Sequence, residues 1–436
     1  MRDFLPEDVR RREHVIGVIK RVYERYGFEP LETPAVENLD TLMGKYGEES
    51  NQLIFKILKR GEHEASGQAD LALRYDLTVP LARVVAQYQS RLPRLFKRYQ
   101  IQPVWRADRP ARGRFREFYQ CDVDALGSTS PVVEAELCAA VAEVLTELGF
   151  TDFVIRLNHR QLLTSLLNLA GIAAEKHAEA LVAIDKRDKI GPDGVVRELA
   201  ERGIEERSRT QVMAWLESAA GGDWGSWLGG QASDLDDAGR AAVANLQQII
   251  GLLGDGPTRA RLRIDPTLAR GLSYYTGAIM EINVPDLAGS LGGGGRYDNL
   301  VGLFLGQSVP ACGFSLGLER ILVVMGERGM FPRGSAAPSA DVMTVVFDAA
   351  DLPHALRLAA LLRRSGLRVL VYPDPDKIGK QIKYADSLGI PFAAILGGDE
   401  IAAGTVTVKD LAAQTQRTCD QAAAGGAILE ELAHRG

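Results

Sequence analysis

The chain has 436 residues, of which 46% are hydrophobic and 25% charged, a composition typical of a folded protein with two or three domains. Its formal net charge of -6 argues against indiscriminate coating of nucleic acid, which relies on broad neutralisation of phosphates, although a local basic face remains possible. No segment approaches the roughly 18 consecutive apolar residues of a membrane span, so we expect a cytoplasmic protein with no membrane partner.

The first half of the chain is predicted to alternate helices with strands. One helix is predicted between Pro6 and Gly27, where apolar residues recur at helical spacing, and residues 27–37 are predicted to be extended. Another helix is predicted between Ser130, a suitable N-cap, and Gly149. Strand patterns cover residues 98–106, 115–123 and 153–157, and a polar loop joins the first two into a hairpin.

The second half begins with a long helical region. Residues 170–259 are alanine-rich with helical periodicity, and residues 221–239, rich in Gly, Ser and Asp, are predicted to be a mobile loop. Residues 331–339 have the composition of a linker. The remaining predicted strands span residues 260–265, 276–284, 342–347, 369–372 and 392–396, and helices are predicted over 355–364 and 381–388. After the linker this order is βαβαβ, which predicts a small, mainly parallel sheet.

The predicted hairpin carries most of the groups suited to chemistry. A period of two places one polar set on a single face of its second strand: Arg116, Phe118, Gln120, Asp122 and Asp124. The first strand and the loop add Arg106, Arg109, Arg112 and Arg114. Guanidiniums suit phosphate oxygens, and an aromatic face suits a base, so the set fits a nucleotide. For the hairpin alone, a solvated charged face is an equally good interpretation.

Three later segments are rich in glycine and aromatic residues. Residues 270–277 contain two adjacent tyrosines, which point to opposite faces of a strand, so only one of them can enter a given pocket. Taken alone, this segment favours a strand whose tyrosines pack in the core. Residues 291–298 contain four consecutive glycines, which offer bare backbone to a ligand but also occur in plain loops. Residues 313–322 are predicted to run from a strand into a helix carrying Arg320.

Metal and standard nucleotide motifs are missing from the sequence. The four cysteines lie far apart and the six histidines have no ligand spacing, so we predict neither a metal cage nor a disulfide framework. The phosphate-loop pattern G-x-x-x-x-G-K-[ST] is absent, and no Rossmann G-x-G-x-x-G stands at a strand-helix junction with an acid downstream.

Taken in order, these segments resemble the class II aminoacyl-tRNA synthetases, and specifically the histidyl-tRNA synthetase family. Residues 33–37, 106–124 and 313–320 are similar to motifs 1, 2 and 3, which identify only the class. Residues 270–277 and 292–298 resemble the two sharper histidine-specific signatures, with Ser273 where the family usually has aspartate. Further segments are similar to the eukaryote-like branch: 98–100, 105–108, 117–124 and 184–192.

The resemblance implies an α+β fold, with a class II antiparallel sheet of six or more strands flanked by helices. It implies five consecutive parts of the chain. These are a first catalytic part (1–170), an inserted helical domain (171–259), a second catalytic part (260–330), a linker (331–340) and an α/β anticodon-binding domain (341–436).

The resemblance also implies an activity, ligation of L-histidine to tRNA(His) at the expense of ATP. Arg106 is expected on the α-phosphate, with Arg114, Phe118 and Arg320 holding the rest of the nucleotide, and Arg270 is expected to bridge the α-phosphate and the substrate carboxylate. Histidine is expected to contact Asp76, Thr78, Gln120, Asp124, Tyr274 and Tyr275, with Tyr275 preferred over Tyr274 for the imidazole. Asp76 and Thr78, two residues apart, would face the same way in an extended segment.

The expected partners follow from the same resemblance. Mg2+ is expected with the ATP phosphates, tRNA is expected to contact Arg109, Arg112, Lys380 and Lys383, and a homodimer is expected to form through motif 1. The main alternative is a non-catalytic regulator, the synthetase-like subunit that partners a short ATP phosphoribosyltransferase. Such paralogues generally lack the C-terminal domain and parts of the catalytic set, which are present in this sequence. Prolyl and threonyl enzymes lack the two histidine signatures.

Overall fold

The computed structural model describes residues 1–44, 52–61, 66–220, 230, 233–269, 275–332 and 338–434. Two compact units are present, Met1–Phe331 and Pro332–Gly436. The predicted loop at 221–239 and the predicted linker at 331–339 lie largely outside the described residues.

The first unit is built on an eight-stranded sheet with the order β1-β5-β6-β11-β10-β9-β7-β8. The pairs β1–β5 and β7–β8 are parallel and all other pairs are antiparallel, so the predicted sheet is confirmed with mixed edges. Strands β2, β3 and β4 form a separate small sheet. The strands are β1 Glu29–Pro30, β2 Val36–Asn38, β3 Lys56–Leu58, β4 Ala69–Leu73, β5 Phe96–Trp105, β6 Glu117–Leu126, β7 Val154–His159, β8 Leu262–Ile264, β9 Ala278–Asn283, β10 Gly292–Arg296 and β11 Ala311–Gly317.

Helices flank this sheet, and the region predicted to be helical after residue 170 contains α6 to α10. The helices are α1 Pro6–Arg25, α2 Leu39–Leu42, α3 Thr78–Gln87, α4 Val132–Glu147, α5 Arg160–Leu169, α6 His177–Asp185, α7 Arg187–Glu201, α8 Glu206–Ala220, α9 Asp237–Leu252, α10 Pro257–Arg261, α11 Gly302–Leu305 and α12 Leu318–Glu327, with a 3-10 turn at Ala174–Lys176. The strand predicted over 260–265 is shorter, because its first two residues end α10.

The main core lies between the sheet and helices α1 and α4. Val15, Ile19 and Val22 form the buried stripe of α1, at the spacing that predicted the helix. At the start of α4, the Ser130 hydroxyl accepts a hydrogen bond from the Val132 N–H at 3.4 Å. Gly149, with a φ of 89°, follows the helix end. The helix starts one residue later than predicted, because Pro131 rather than Ser130 occupies the N-cap position, and its end before Gly149 agrees with the prediction.

The second unit contains a five-stranded sheet with the order β13-β12-β14-β15-β16. The predicted βαβαβ order is confirmed for the parallel strands β12, β13 and β14, but an antiparallel hairpin, β15 and β16, extends the sheet beyond the prediction. The elements are β12 Val342–Val346, α13 Leu352–Arg364, β13 Val369–Val371, α14 Ile378–Ser387, β14 Phe392–Leu396, α15 Gly398–Ala403, β15 Thr405–Asp410, β16 Thr415–Asp420 and α16 Gln421–Ala433, with a 3-10 turn at Ala349–Asp351.

Among the residues that the structure describes, no helix combines the length and the apolar character needed to cross a membrane.

Candidate active site

The candidate site lies on the sheet face that carries the polar residues of β6. Cys121 and Val123 of this strand point into the main core, so the predicted alternation is confirmed. Gln120, Asp122 and Asp124 point to the opposite face and line a cavity. Neighbouring strands extend this polar face: Arg98 of β5 and Gly313 of β11 pair with Asp124, and Gln100 and Ser315 pair with Asp122.

Glycines make room for these side chains. A Cβ on Gly313 would lie 1.8 Å from Asp124 Oδ1, so only glycine leaves space for the carboxylate. A Cβ on Gly294 would lie 2.1 Å from the Gly313 carbonyl oxygen, and one on Gly295 would lie 3.0 Å from the Tyr275 ring. The four-glycine run forms most of strand β10, and atoms of the neighbouring backbone or of the Tyr275 ring pack directly against its Cα atoms.

The first cavity, here called the arginine cavity, has a volume of about 260 Å³. Arg106, Arg114, Phe118 and Arg320 all line it, so the structure brings together the four positions predicted for ATP. The Arg106 guanidinium carbon lies 4.2 Å from the centre of the Tyr75 ring and 5.1 Å from that of Phe118. Its Nε donates to the Tyr75 carbonyl oxygen at 3.0 Å. The side chain is thus fixed at the cavity wall.

The second cavity, here called the acidic cavity, has a volume of about 120 Å³. It adjoins the arginine cavity, because Arg106, Gln120, Gly293 and Ser315 line both. Five of the positions predicted for histidine line it: Asp76, Thr78, Gln120, Asp124 and Tyr275. Three further side chains that were given no role in the sequence analysis also line it: Asp122, Tyr297 and Ser315.

A buried arginine neutralises the floor of the acidic cavity. Arg98 is completely buried, and its Nη2 lies 2.9 Å from Asp124 Oδ2 and 3.9 Å from Asp122 Oδ2. The Tyr297 hydroxyl donates to Asp124 Oδ1. Burial raises the pKa of Asp124, while Arg98 and the Tyr297 hydrogen bond lower it. Burial raises the pKa of Asp122 to about 7, with Arg98 opposing the rise and Asp124 adding to it.

The local structure around Asp76 differs from the prediction. Residues 76–78 are not extended: Thr78 begins helix α3, and Asp76 Oδ1 accepts the Val79 N–H at 3.1 Å. Both side chains nevertheless line the acidic cavity. Pro80 in the first turn of α3 is the sequence signal that could have identified this helix start.

Four residues that the structure places at the site were given no individual role in the sequence analysis. Asp122 was placed on the polar face by its alternation with Gln120, and Tyr297 was included in a glycine-rich signature, but neither was given a role. Arg98 and Ser315 lie in segments that the resemblance covers, 98–100 and 313–320, but neither was given a role, since their relation to the site depends on strand pairing.

Other predicted site residues lie elsewhere. Arg270 and Tyr274, with Ser273, are outside the described residues. Arg109 is exposed and lines neither cavity. Arg112 is paired with Glu327 and donates to the Asp286 carbonyl oxygen at 2.9 Å. Lys380 and Lys383 are exposed on α14 of the second unit, where Lys380 lies 2.7 Å from Asp376.

No group of three or more His, Cys, Asp or Glu side chains that could hold a metal ion occurs in the described part of the chain.

The sheet and its two adjoining cavities place the chain among the class II aminoacyl-tRNA synthetases. Residues 1–321 match the family model for histidyl-tRNA synthetase, and residues 340–431 match that for an anticodon binding domain. The chain therefore belongs to the histidyl-tRNA synthetase family.

Similar proteins agree over the full length. A histidine-tRNA ligase of Gloeobacter violaceus is 43% identical over 460 residues, covering 99% of this chain and 97% of the relative. The crystal structure of histidyl-tRNA synthetase from Nostoc sp. PCC 7120 is 32% identical, with a TM-score of 0.82 and coverage of 99% and 97%. An ATP phosphoribosyltransferase regulatory subunit/histidyl-tRNA synthetase from Bacillus halodurans shares the fold at 20% identity, with a TM-score of 0.74 and coverage of 91% and 96%.

Proposed function

We propose that this chain is a histidine-tRNA ligase, which activates L-histidine with ATP and transfers it to the 3′ end of tRNA(His). The observation that carries the proposal is the wall shared by the two cavities. Arg106 and Gln120 line both, so a nucleotide in the arginine cavity and an amino acid in the acidic cavity would meet beside one guanidinium. That arrangement suits attack of a carboxylate on an α-phosphorus.

The chemistry requires charge neutralisation more than proton transfer. A carboxylate is already a nucleophile at neutral pH, so forming the adenylate needs in-line placement and stabilisation of the phosphate charge. Arg106 is assigned to the α-phosphate, Arg114 and Arg320 to the rest of the nucleotide, and Phe118 to the adenine face. Pyrophosphate leaves, and a terminal ribose hydroxyl of tRNA then attacks the adenylate carbonyl and releases AMP.

Histidine is assigned to the acidic cavity. Asp76, Thr78 and Gln120 hold its α-ammonium, and the imidazole lies toward Asp124 and Tyr275, with Tyr274 the less favoured of the two tyrosines. Support comes from the lining of this cavity by acids and phenols. A site whose polar groups are satisfied only by imidazole nitrogens rejects analogues that lack them. Arg270 is assigned to the substrate carboxylate and the α-phosphate on the sequence motif alone.

Mg2+ is proposed to accompany the β- and γ-phosphates of ATP, where it would add positive charge. The arginine cavity contains two carboxylates, Asp108 and Glu319. Glu319 already accepts the Tyr119 N–H at 2.9 Å, which leaves Asp108 as the more available ligand. This donor set fits an ion held mainly by the nucleotide, because Mg2+ usually keeps several waters and takes only one or two protein carboxylates.

The remaining parts of the chain are assigned to tRNA. We propose residues 171–259 as an inserted helical domain and residues 341–436 as the anticodon-binding domain, with 331–340 as linker. Exposed cations suit phosphate contacts that position a nucleic acid without reading its sequence. The proposed contacts are Arg109 and Arg112 near the catalytic site and Lys380 and Lys383 on α14.

A homodimer is proposed through the motif 1 region, in a cytoplasmic enzyme. Three apolar side chains of the small sheet, Val36, Leu58 and Leu71, are exposed by 39%, 55% and 36%. Exposed apolar residues grouped on one sheet are expected at a subunit interface. The Glu37 carboxylate is anchored by Arg83 at 2.7 Å, which fixes the strand that carries Val36.

Charging of unfractionated tRNA with each labelled amino acid in turn tests the function. Histidine alone is expected to be esterified, with consumption of ATP and release of AMP. A regulatory subunit would charge no amino acid. Charging with a different amino acid would reassign the acidic cavity.

A further inference from the structure

A series of contacts between guanidiniums and aromatic rings joins the first residues of the chain to the β5–β6 hairpin. The Arg2 guanidinium carbon lies 4.3 Å from the centre of the Phe115 ring and 4.6 Å from that of Phe4. The Arg12 guanidinium carbon lies 4.2 Å from the centre of the same Phe4 ring and 4.3 Å from that of Tyr119. All four distances are within the roughly 6 Å at which a ring face attracts a cation. The series, here called the cation–π ladder, runs in the order Phe115, Arg2, Phe4, Arg12 and Tyr119.

The cation–π ladder meets the hairpin at two points. Phe115 belongs to the loop of the hairpin, whereas Tyr119 lies in strand β6. Arg12 lies on α1, whose buried stripe packs in the main core, so this cation is carried by a fixed element. Arg2 and Phe4 precede α1 and extend the support from Arg12 to the loop.

The loop residue that the ladder contacts is next to a predicted ATP ligand. Phe115 and Arg114 both line the arginine cavity, and Arg114 is exposed. Two residues before Arg114, Arg112 pairs with Glu327 of α12. Arg114 therefore lies between two anchored residues. Ordering a long, exposed side chain on binding a ligand costs conformational entropy, and anchored neighbours reduce that cost.

The ladder also acts on a second wall of the arginine cavity. Glu319 lines this cavity, is 2% exposed and accepts the Tyr119 N–H at 2.9 Å. Burial raises the pKa of Glu319, and the Tyr119 hydrogen bond and the two ladder arginines oppose the rise. The ladder thus favours the charged form of the carboxylate that precedes Arg320.

We propose that Arg2 is a positioning residue for ATP, which acts through Phe115 to hold the hairpin loop with Arg114 directed at the nucleotide. The inference rests on the proposed function and deepens it, since Arg2 itself lines neither cavity. A loop that is held in its binding position before ATP arrives loses less conformational freedom on binding. The histidine site should be unaffected, because the acidic cavity is lined by residues further along β6.

Pyrophosphate exchange by the full chain tests this role. For Arg2→Ala we expect the KM for ATP to rise about fivefold, while the KM for histidine stays within twofold of wild type. A fivefold change corresponds to about 1 kcal/mol, the scale of a cation–π contact at a partly exposed site. Arg2→Lys keeps the cation and is expected to keep the KM for ATP within twofold. General damage to the fold would affect both KM values.

The matched control is Arg11→Ala. Arg11 lines the same small cavity as Arg2 and Phe4, next to the start of α1. Its guanidinium carbon lies 5.1 Å from the centre of the Phe331 ring, and it pairs with Glu7. This variant removes contacts of the same kind, but Phe331 is not part of the hairpin. Its KM for ATP is expected to stay at the wild-type value.

A double-mutant cycle tests the route through the loop. Phe115→Leu keeps an apolar side chain but removes the aromatic face. If Arg2 acts through Phe115, adding Arg2→Ala to Phe115→Leu should change the KM for ATP by less than twofold, because the contact is already lost.

The outcomes separate the two proposals. A wild-type KM for ATP in folded Arg2→Ala, an equal rise in the KM for histidine, or an undiminished effect in the Phe115→Leu background would overturn the inference and leave the proposed function standing. Absence of histidine-dependent exchange in the wild-type chain would overturn the proposed function, and this inference with it.

Discussion

Gly313→Ala is expected to disable the acidic cavity through a single methyl group. The added Cβ would lie 1.8 Å from Asp124 Oδ1 and 2.5 Å from its Cγ. Ordinary contact needs about 3.4 Å or more, so the carboxylate must move by about 1.5 Å. That movement breaks the Tyr297 hydrogen bond and the 2.9 Å contact with Arg98.

The magnitude follows from those two contacts. If the Tyr297 hydrogen bond and the Arg98 ion pair each contribute about 1.5–3 kcal/mol, as hydrogen bonds to charged groups do, Gly313→Ala should lower the free energy of unfolding by about 3–6 kcal/mol. A loss of about 2.8 kcal/mol in histidine binding corresponds to a hundredfold rise in the KM for histidine. Urea unfolding and pyrophosphate exchange measure the two quantities.

A matched control comes from the adjacent helix. A Cβ on Gly326 of α12 meets no atom within 4 Å, and alanine is favoured over glycine inside a helix. Gly326→Ala is therefore expected to keep the wild-type KM and to gain up to about 1 kcal/mol of stability. A folded Gly313→Ala protein whose KM for histidine stays within twofold of wild type would refute the reasoning.

Three further perturbations have defined outcomes. Burial lowers the pKa of His159 to about 4, so as the pH falls below about 6.5 the unfolded chain binds a proton that the folded chain does not. Between pH 7.5 and pH 5 the free energy of unfolding, measured with urea, should therefore fall by about 2 kcal/mol more in the wild type than in His159→Asn. Equal losses in the two proteins would contradict this. Glu134→Gln should lower the free energy of unfolding by about 3–5 kcal/mol, because Glu134 is fully buried and 2.7 Å from Arg296. Glu327→Gln, which breaks the exposed pair with Arg112, should lower it by less than about 1 kcal/mol. Similar losses in the two variants would contradict the role of burial. Arg270→Ala should keep ATP binding but lower histidine-dependent exchange by about a hundredfold or more, and an undiminished rate would refute its role.

The local sequence pattern was sufficient to predict the β5–β6 hairpin and the polar face of its second strand. The strand begins later than predicted, at Glu117, because residues 115 and 116 still belong to the loop, where Ala111 and Arg114 form an isolated bridge. Alternation alone placed Gln120 and Asp124 on one face, and the resemblance to known motifs supplied their expected roles.

The electrostatics of the site could not be read from local pattern. Arg98 neutralises Asp124 because β5 pairs with β6 in that register, and Gly313 opposes Asp124 from almost 190 residues further along the chain. Such pairings depend on the sheet order, which no single segment encodes. For that reason Arg98, Ser315 and the setting of Asp122 were recognised only in the folded structure.

The missed hairpin of the second unit has a local cause. Its turn places Gln414 at a φ of 56°, a conformation usually taken by Gly or Asn. Residues 411–414 contain neither, so the usual signal of a turn between two strands is missing.

The central claim is that one chain brings ATP and histidine together at the wall shared by its two cavities. ATP-pyrophosphate exchange by the purified wild-type chain, with each of the twenty amino acids offered singly, tests it most directly. Rapid exchange with histidine, and exchange lower by several orders of magnitude with every other amino acid, is the predicted result. No exchange with histidine, or equal exchange with another amino acid, would contradict the account.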